Sequence, residues 1–381
     1  MTRVLSVPTT IVVNPSMTAL AQAAAAAPSN AFTQFHGGGL NTQIRHPYPR
    51  EGTTYMCDVT QDGQAYEHTI LDWCGKGSYD PINRRVQFFG HGTGSGAGQW
   101  RWNMLPYYDE ATDLWSAIRS FRHSDQQTND NALSMTHIYD NNCIDIAGRR
   151  LYKKQFLNDN DSFSSGKWFV FNLDTWQLMP SMSPASGDVG GTAFGPADFI
   201  PTRGKAGRIW YANHNPVRIW EYDVTTGTGI GANWTVILPA GSFPALNFNP
   251  ANNGGAMSYN PRALGGQGAV LIGGGSTATY VVNCVTLQVT TVAPAPIIVW
   301  PPYHGRLCKE PNGAGWLLFL PTSAGGHVWR CDGTQWTRRA AAPPAFYGIV
   351  IPIDNYGVVW CISTRPWSNV ETTPRAWLYK P

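Results

Sequence analysis

The chain has 381 residues, of which 27 are basic and 24 acidic, giving a net charge of +3 with only 13% of residues charged. Intrinsic disorder is excluded, because disordered chains are rich in charge and poor in aromatics, whereas this one carries 16 Trp and 16 Tyr. Its 40 glycines and 28 prolines follow no collagen-like period, and no Lys/Arg run marks a polynucleotide surface, so nucleic-acid binding is not expected.

Residues 1–50 read as an N-terminal arm. Thr9 to Val13 could form a short strand. Ser16 to Ala27 has an N-cap in Ser16, an alanine run and a stop at Pro28, which predicts a short helix. Alanine buries little surface, so this segment is expected to find its order against a partner. The opening residues lack the apolar core of a signal peptide, and nowhere do about 18 apolar residues run together as a spanning helix needs. Seven cysteines, Cys57, Cys74, Cys143, Cys284, Cys308, Cys331 and Cys361, contain no C-x-x-C pair and fit no zinc spacing. They read as buried thiols, made in a reducing cytosol.

From about residue 51 to the end, one pattern of strands returns every 50 to 60 residues or so, a period that marks repeat architectures. The first landmark is a turn between the first and second strands of each unit. It is expected at Tyr79-Asp80-Pro81, Tyr139-Asp140-Asn141, Pro201 to Gly204, Tyr259-Asn260-Pro261, Pro311-Asn312-Gly313 and Asp354-Asn355. An apolar strand follows each: Val86–Phe89, Arg150–Tyr152, Arg208–Tyr211, Ala269–Ile272, Trp316–Leu320 and Val358–Ile362.

The second landmark is the turn after the third strand, at Tyr108-Asp109, Phe171-Asn172, Tyr222-Asp223, Val282-Asn283, Cys331-Asp332 and Tyr379-Lys380, in steps of 63, 51, 60, 49 and 48. Trp115, Trp176, Trp234 and Trp336 are expected to mark the fourth strand, with Val289 in unit four. The sixth unit ends one strand short. A propeller removes its open edge by building one blade from both ends of the chain, and Thr53 to Val59 is expected to supply the missing strand. The reading is an all-β, six-bladed propeller over residues 51–381, or seven-bladed if the N-terminal segment holds another unit.

The unit resembles a kelch-type β-propeller blade. Phe88-Phe89-Gly90 and Leu271 to Gly274 resemble that family's second-strand ending. Tyr108-Asp109 with Trp115, and Tyr222-Asp223 with Trp234, resemble its third-to-fourth-strand signature. The resemblance implies a fold and no function, because propellers host unrelated activities.

No catalytic motif emerges. The glycines of His91 to Trp102 are followed by a strand rather than the helix a dinucleotide loop requires, so they read as a connection between strands. Asp159-Asn160-Asp161 begins like a calcium loop, but Phe163 stands at the third ligand position. His91, His304 and His327 could meet in a central channel, although packing or hydrogen bonding is the ordinary role of lone histidines. Asp109 with Glu110 falls at the repeat turn and reads as turn-forming. Asp332 to Trp336 resembles part of a sialidase Asp-box but lacks its upstream Ser/Thr.

Loop aromatics are the remaining signal, since Trp and Tyr anchor interfaces and stack on sugars. Trp300, Tyr303, His304 and Trp367 are the binding candidates. No cofactor or metal is expected. Cytosolic synthesis without a signal, a low-charge β surface and an alanine-rich arm together suggest a non-enzymatic virion component, associated with a bacteriophage tail. Such a protein would dock to other virion proteins through its arm, within an oligomeric assembly, and could touch a host glycan or protein. Two other readings are a cytosolic kelch-type adaptor, for which a 50-residue arm is short of a recruitment domain, and a carbohydrate-active propeller, which needs acidic or histidine residues converging on one mouth.

Overall fold

In a computed structural model, the residues described are 18–37, 60–61, 64–65, 76–89, 105–118, 140–154, 168–182, 195–213, 216–224, 234–248, 254–299, 305–321, 325–341, 348–363 and 375–381. Among them, six antiparallel sheets of four strands each form the blades of a β-propeller. The innermost strands are Gly77–Asp80, Asn142–Asp145, Ala197–Ile200, Gly255–Asn260, Arg306–Lys309 and Gly348–Ile353. They stand side by side around the axis and share one direction, as the parallel bridge between Lys76 and Val350 shows.

Within each blade the chain runs up and down. The first-to-second and third-to-fourth connections therefore lie on one face, and the second-to-third and blade-to-blade connections lie on the other. The first set is made of tight, chemically explicit turns. Asp80 Oδ1 accepts from the Ile82 amide at 3.0 Å, Asn172 Oδ1 from Asp174 at 2.8 Å, and Asp332 Oδ1 from Thr334 at 2.8 Å. Side-chain caps of this kind make Asp and Asn the default residues at such positions. Asp332 to Trp336 is thus the third-to-fourth turn of blade five.

Five of the six expected first turns fall where the sequence placed them. Blade two does not. Its first strand begins after Asp140-Asn141, and the turn lies at residues 146–149. There Asp145 Oδ1 accepts from Gly148 at 2.8 Å and Arg149 takes φ 54°. This matches blade one, where Asp80 opens the turn and Arg84 has φ 54°. The Tyr-Asp pair at 139–140 imitates the landmark five residues early. Trp176 is also displaced. It sits in the turn at φ 58°, its amide donating to Asn172 O at 2.8 Å, and the fourth strand starts at Leu178. Its counterpart is Leu287 in blade four, which has φ 62° and the same bond to Asn283 O.

The closing strand is the main correction. Blade six takes its outermost strand from Ala31–Gly37, paired antiparallel to Arg375–Lys380. Thr53 to Val59 lies outside the described residues, and the place expected for it is filled. Three residues apart on this strand, the two phenylalanines point to opposite faces, Phe35 buried and Phe32 half-buried. Phe32 packs on Tyr379 of blade six and Phe319 of blade five, with ring centroids 4.9 and 6.2 Å away. Phe35 meets Tyr108 of blade one at 5.8 Å and Trp360 of blade six at 5.1 Å.

The predicted helix is present as Ala19–Ala26, but its cap is Thr18 rather than Ser16: the Thr18 hydroxyl accepts from the Ala21 amide at 3.1 Å. Leu20, Ala21 and Ala24 are buried in the propeller. Residues 18–37 therefore belong to the propeller rather than to an arm separate from it. Thr9 to Val13 lies outside the described residues.

Candidate functional site

The blade cores are apolar, so charged side chains buried among them need partners. One such group gathers where the innermost strands begin, on the face of the blade-to-blade connections. Lys76 immediately precedes the first strand of blade one. Its ammonium donates to Ala197 O of blade three at 2.9 Å and Met257 O of blade four at 3.4 Å, and pairs with Asp198 Oδ2 at 3.1 Å. Blade four stands opposite blade one in a six-membered ring, so the side chain crosses the axial channel.

The groups around the ammonium are themselves engaged. Asp198 Oδ2 also accepts from the Tyr259 amide at 2.8 Å, and Asp140 Oδ2 accepts from the Met257 amide at 2.6 Å. Asn142 of blade two donates to Lys76 O at 3.5 Å, and Arg306 of blade five donates to Gly348 O of blade six. Asp140 is buried, and loss of hydration pushes its carboxyl up to about 7 against the pull of Lys76 and the Met257 amide. Burial alone would lower the Lys76 value, but Asp198 and Asp140 outweigh it and raise the net value. Chemically this is a held cation with a titratable carboxyl beside it.

The sequence singled out Asp140 as a turn residue and did not single out Lys76 or Asp198. Lys76, Asp140 and Asp198 each stand at or just before a first strand, where a charge in an apolar context is the available signal.

The sequence-predicted candidates fare differently. Trp300, Tyr303, His304 and Trp367 lie outside the described residues, as do His91 to Trp102 and Asp159 to Phe163. The strand ends that border the first and last of these sets are on the same face as Lys76. Gly305 precedes the first strand of blade five, and Ser363 pairs with Gly348 and Arg375 at that end of blade six. His327 is not in the channel. It lies in the third strand of blade five and pairs with Arg338 of the fourth, 3.2 Å from Nδ1.

Asp109 is turn-forming as expected, accepting from the Ala111 amide at 2.9 Å. Glu110 does more. Its buried carboxylate accepts from Tyr79 at 2.7 Å and Tyr356 at 2.6 Å and pairs with Arg84 at 3.3 Å. Five cysteines, Cys143, Cys284, Cys308, Cys331 and Cys361, are buried free thiols, and Cys57 and Cys74 lie outside the described residues. Among the described residues no group of His, Cys, Asp and Glu could hold a metal ion, and no helix is long and apolar enough to cross a membrane.

No protein-family model matches the chain, and no curated protein resembles it in sequence. Among solved structures, one in a nidogen/laminin complex is 10% identical, covering 81% of this chain and 92% of its own, with a TM-score of 0.44. An auxiliary nutrient binding protein from Bacteroides thetaiotaomicron is 11% identical, covering 80% and 68%, with a TM-score of 0.48. The protein U3-55K is 8% identical, covering 82% and 96%, with a TM-score of 0.48.

Proposed function

We propose that this propeller is a non-enzymatic structural or attachment component of a virus particle, a bacteriophage tail-associated protein found in the virion. It docks to neighbouring virion proteins on one face and meets a host glycan or protein on the other. The observation that carries this reading is the polarity of the ring. Thr18 and the helix behind it are fastened at the tight-turn face, where Thr18 Oγ1 donates to Glu110 and the helix packs beside Asp354–Tyr356. The described chain therefore begins at that face, where a docking segment would be joined. The strand ends bordering Trp300, Tyr303, His304 and Trp367 lie at the opposite face. Turns braced by ion pairs and thiols sealed in the core suit a durable part assembled in a reducing host cytosol.

The deciding experiment is sedimentation of the native source material followed by mass spectrometry of the particle fraction. Co-sedimentation at fixed stoichiometry supports the reading, and a soluble monomer sinks it. In particles carrying Trp300→Ala or Trp367→Ala, adsorption to host cells should fall while the protein stays incorporated. Unchanged adsorption removes those residues from the binding role.

A further inference from the structure

Among the described residues, Lys76 touches more of the ring than its size suggests. Its backbone bridges Val350 of blade six, its carbonyl accepts from Asn142 of blade two, and its ammonium is held by Ala197, Asp198 and Met257 of blades three and four. Counting its own blade, one residue at the channel mouth engages five of the six blades. The acceptors around the ammonium are two main-chain carbonyls and a carboxylate, with a second carboxylate on Asp140 close enough to act on it. Such a set of oxygens is a cation cradle. Left without a cation, the carboxylate and the two carbonyls would lose their shared donor, and backbone amides would remain as the donors to Asp198 and Asp140.

We propose that the mouth of the axial channel is a binding site for a primary ammonium cation, filled by the chain's own Lys76, which fastens the blades together across the axis. Two consequences follow. A ligand entering the channel at this mouth would meet the Lys76 ammonium already held by its acceptors. Emptying the cradle should also create a site for a free primary alkylammonium ion, which supplies the same three N–H donors on a hydrocarbon stem. A quaternary ammonium ion carries the charge but no donor and should not replace it.

The test uses the full chain. Lys76→Ala should melt below the wild type and regain at least half of the loss in millimolar butylammonium chloride. Tetramethylammonium chloride at equal ionic strength should have no such effect, and the wild type should respond to neither salt. Lys76→Met fills the channel without charge and should be destabilised with no rescue. Wild-type stability in Lys76→Met, or equal responses of Lys76→Ala to the two salts, overturns the proposal. Should both variants fail to fold, amine acetylation of the wild type decides the matter. Lys76 should react at least tenfold more slowly than the exposed Lys205, and faster in Asp198→Asn. Equal labelling of Lys76 and Lys205 in the wild type overturns it.

Discussion

Tyr356 donates a 2.6 Å hydrogen bond to Glu110 Oε2, tying the first turn of blade six to the last turn of blade one across 246 residues of sequence. The same carboxylate accepts from Tyr79 and pairs with Arg84. Thr18, which caps the helix leading to the closing strand, donates to it as well, at 3.4 Å. The seam of the ring is thus held on the tight-turn face by one buried acid. On the opposite face Lys76 crosses the channel, and between them lies the aromatic contact of Phe35 with Tyr108 and Trp360.

Removing the acid should therefore cost more than removing any one donor. Glu110→Ala leaves two tyrosine hydroxyls and a guanidinium without their shared acceptor and should cost about 3 kcal/mol. Tyr356→Phe deletes one charge-assisted bond and should cost about 1.5 kcal/mol. Urea unfolding of the two variants checks the ranking, and equal losses would place the stabilisation elsewhere.

Ring closure by residues 31–37 gives a second prediction. Deleting residues 1–17 keeps the helix, its Thr18 cap and the closing strand and should leave the ring closed and monomeric. Deleting residues 1–37 uncovers the edge of Arg375–Lys380 and should yield a chain that melts lower and self-associates through that edge. Phe35→Ala keeps the strand but empties its place in the aromatic cluster and should cost about 3 kcal/mol. Calorimetry and size-exclusion chromatography of the three forms read these outcomes.

The parts legible in the sequence are those whose cause is local. Asp, Asn, Gly and Pro at the tight turns act on their own backbone, so Asp354-Asn355 or Val282-Asn283 can be recognised without knowing what surrounds them. The recurrence of these turns located the blades for that reason. Where the cause is not local, the decision comes from outside the segment. Thr53 to Val59 reads as the closing strand, whereas Ala31–Gly37 falls in the stretch that reads as an arm. The second closes the ring because Phe35 fits between blades one and six and Asn30 donates to Lys380 O at 2.6 Å. Asp140 looked like a turn residue and instead reaches across two blades to Met257. Lys76, Asp140 and Asp198 are scattered along the sequence and become a cluster only when the ring closes.

Leu264 offers a test of backbone strain. It lies in the first turn of blade four at φ 53° and ψ 46°, a left-handed conformation, and is 46% exposed. A residue with a Cβ is disfavoured there by about 1–2 kcal/mol, and an exposed leucine returns little of that through burial. Leu264→Gly should therefore stabilise the protein by about 0.5 kcal/mol, after the larger unfolded-state entropy of glycine is subtracted. Its two neighbours, Gly265 and Gly266, already occupy positive φ with open space around them. A loss of stability on this substitution would mean that the side chain has a contact partner at the tight-turn face.

The buried carboxyl of Asp140 sets a pH dependence of definite sign. Its value is pushed up from the usual 3.8 to about 7, chiefly by burial, with Lys76, Asp198 and Arg306 as the charges that act on it. Between about pH 4 and pH 7 the folded chain holds a proton that the unfolded chain has released, so this group makes stability fall as pH rises. The slope it contributes is at most about 1.4 kcal/mol per pH unit, and it flattens above about pH 7. Asp140→Asn keeps an oxygen for the Met257 amide and removes the titration. Relative to the wild type, the variant should thus gain stability steadily from pH 5 to pH 7. Urea midpoints measured across that range give the difference directly, and parallel curves for the two proteins would show that Asp140 is ionised throughout, with Lys76 strong enough to hold it so.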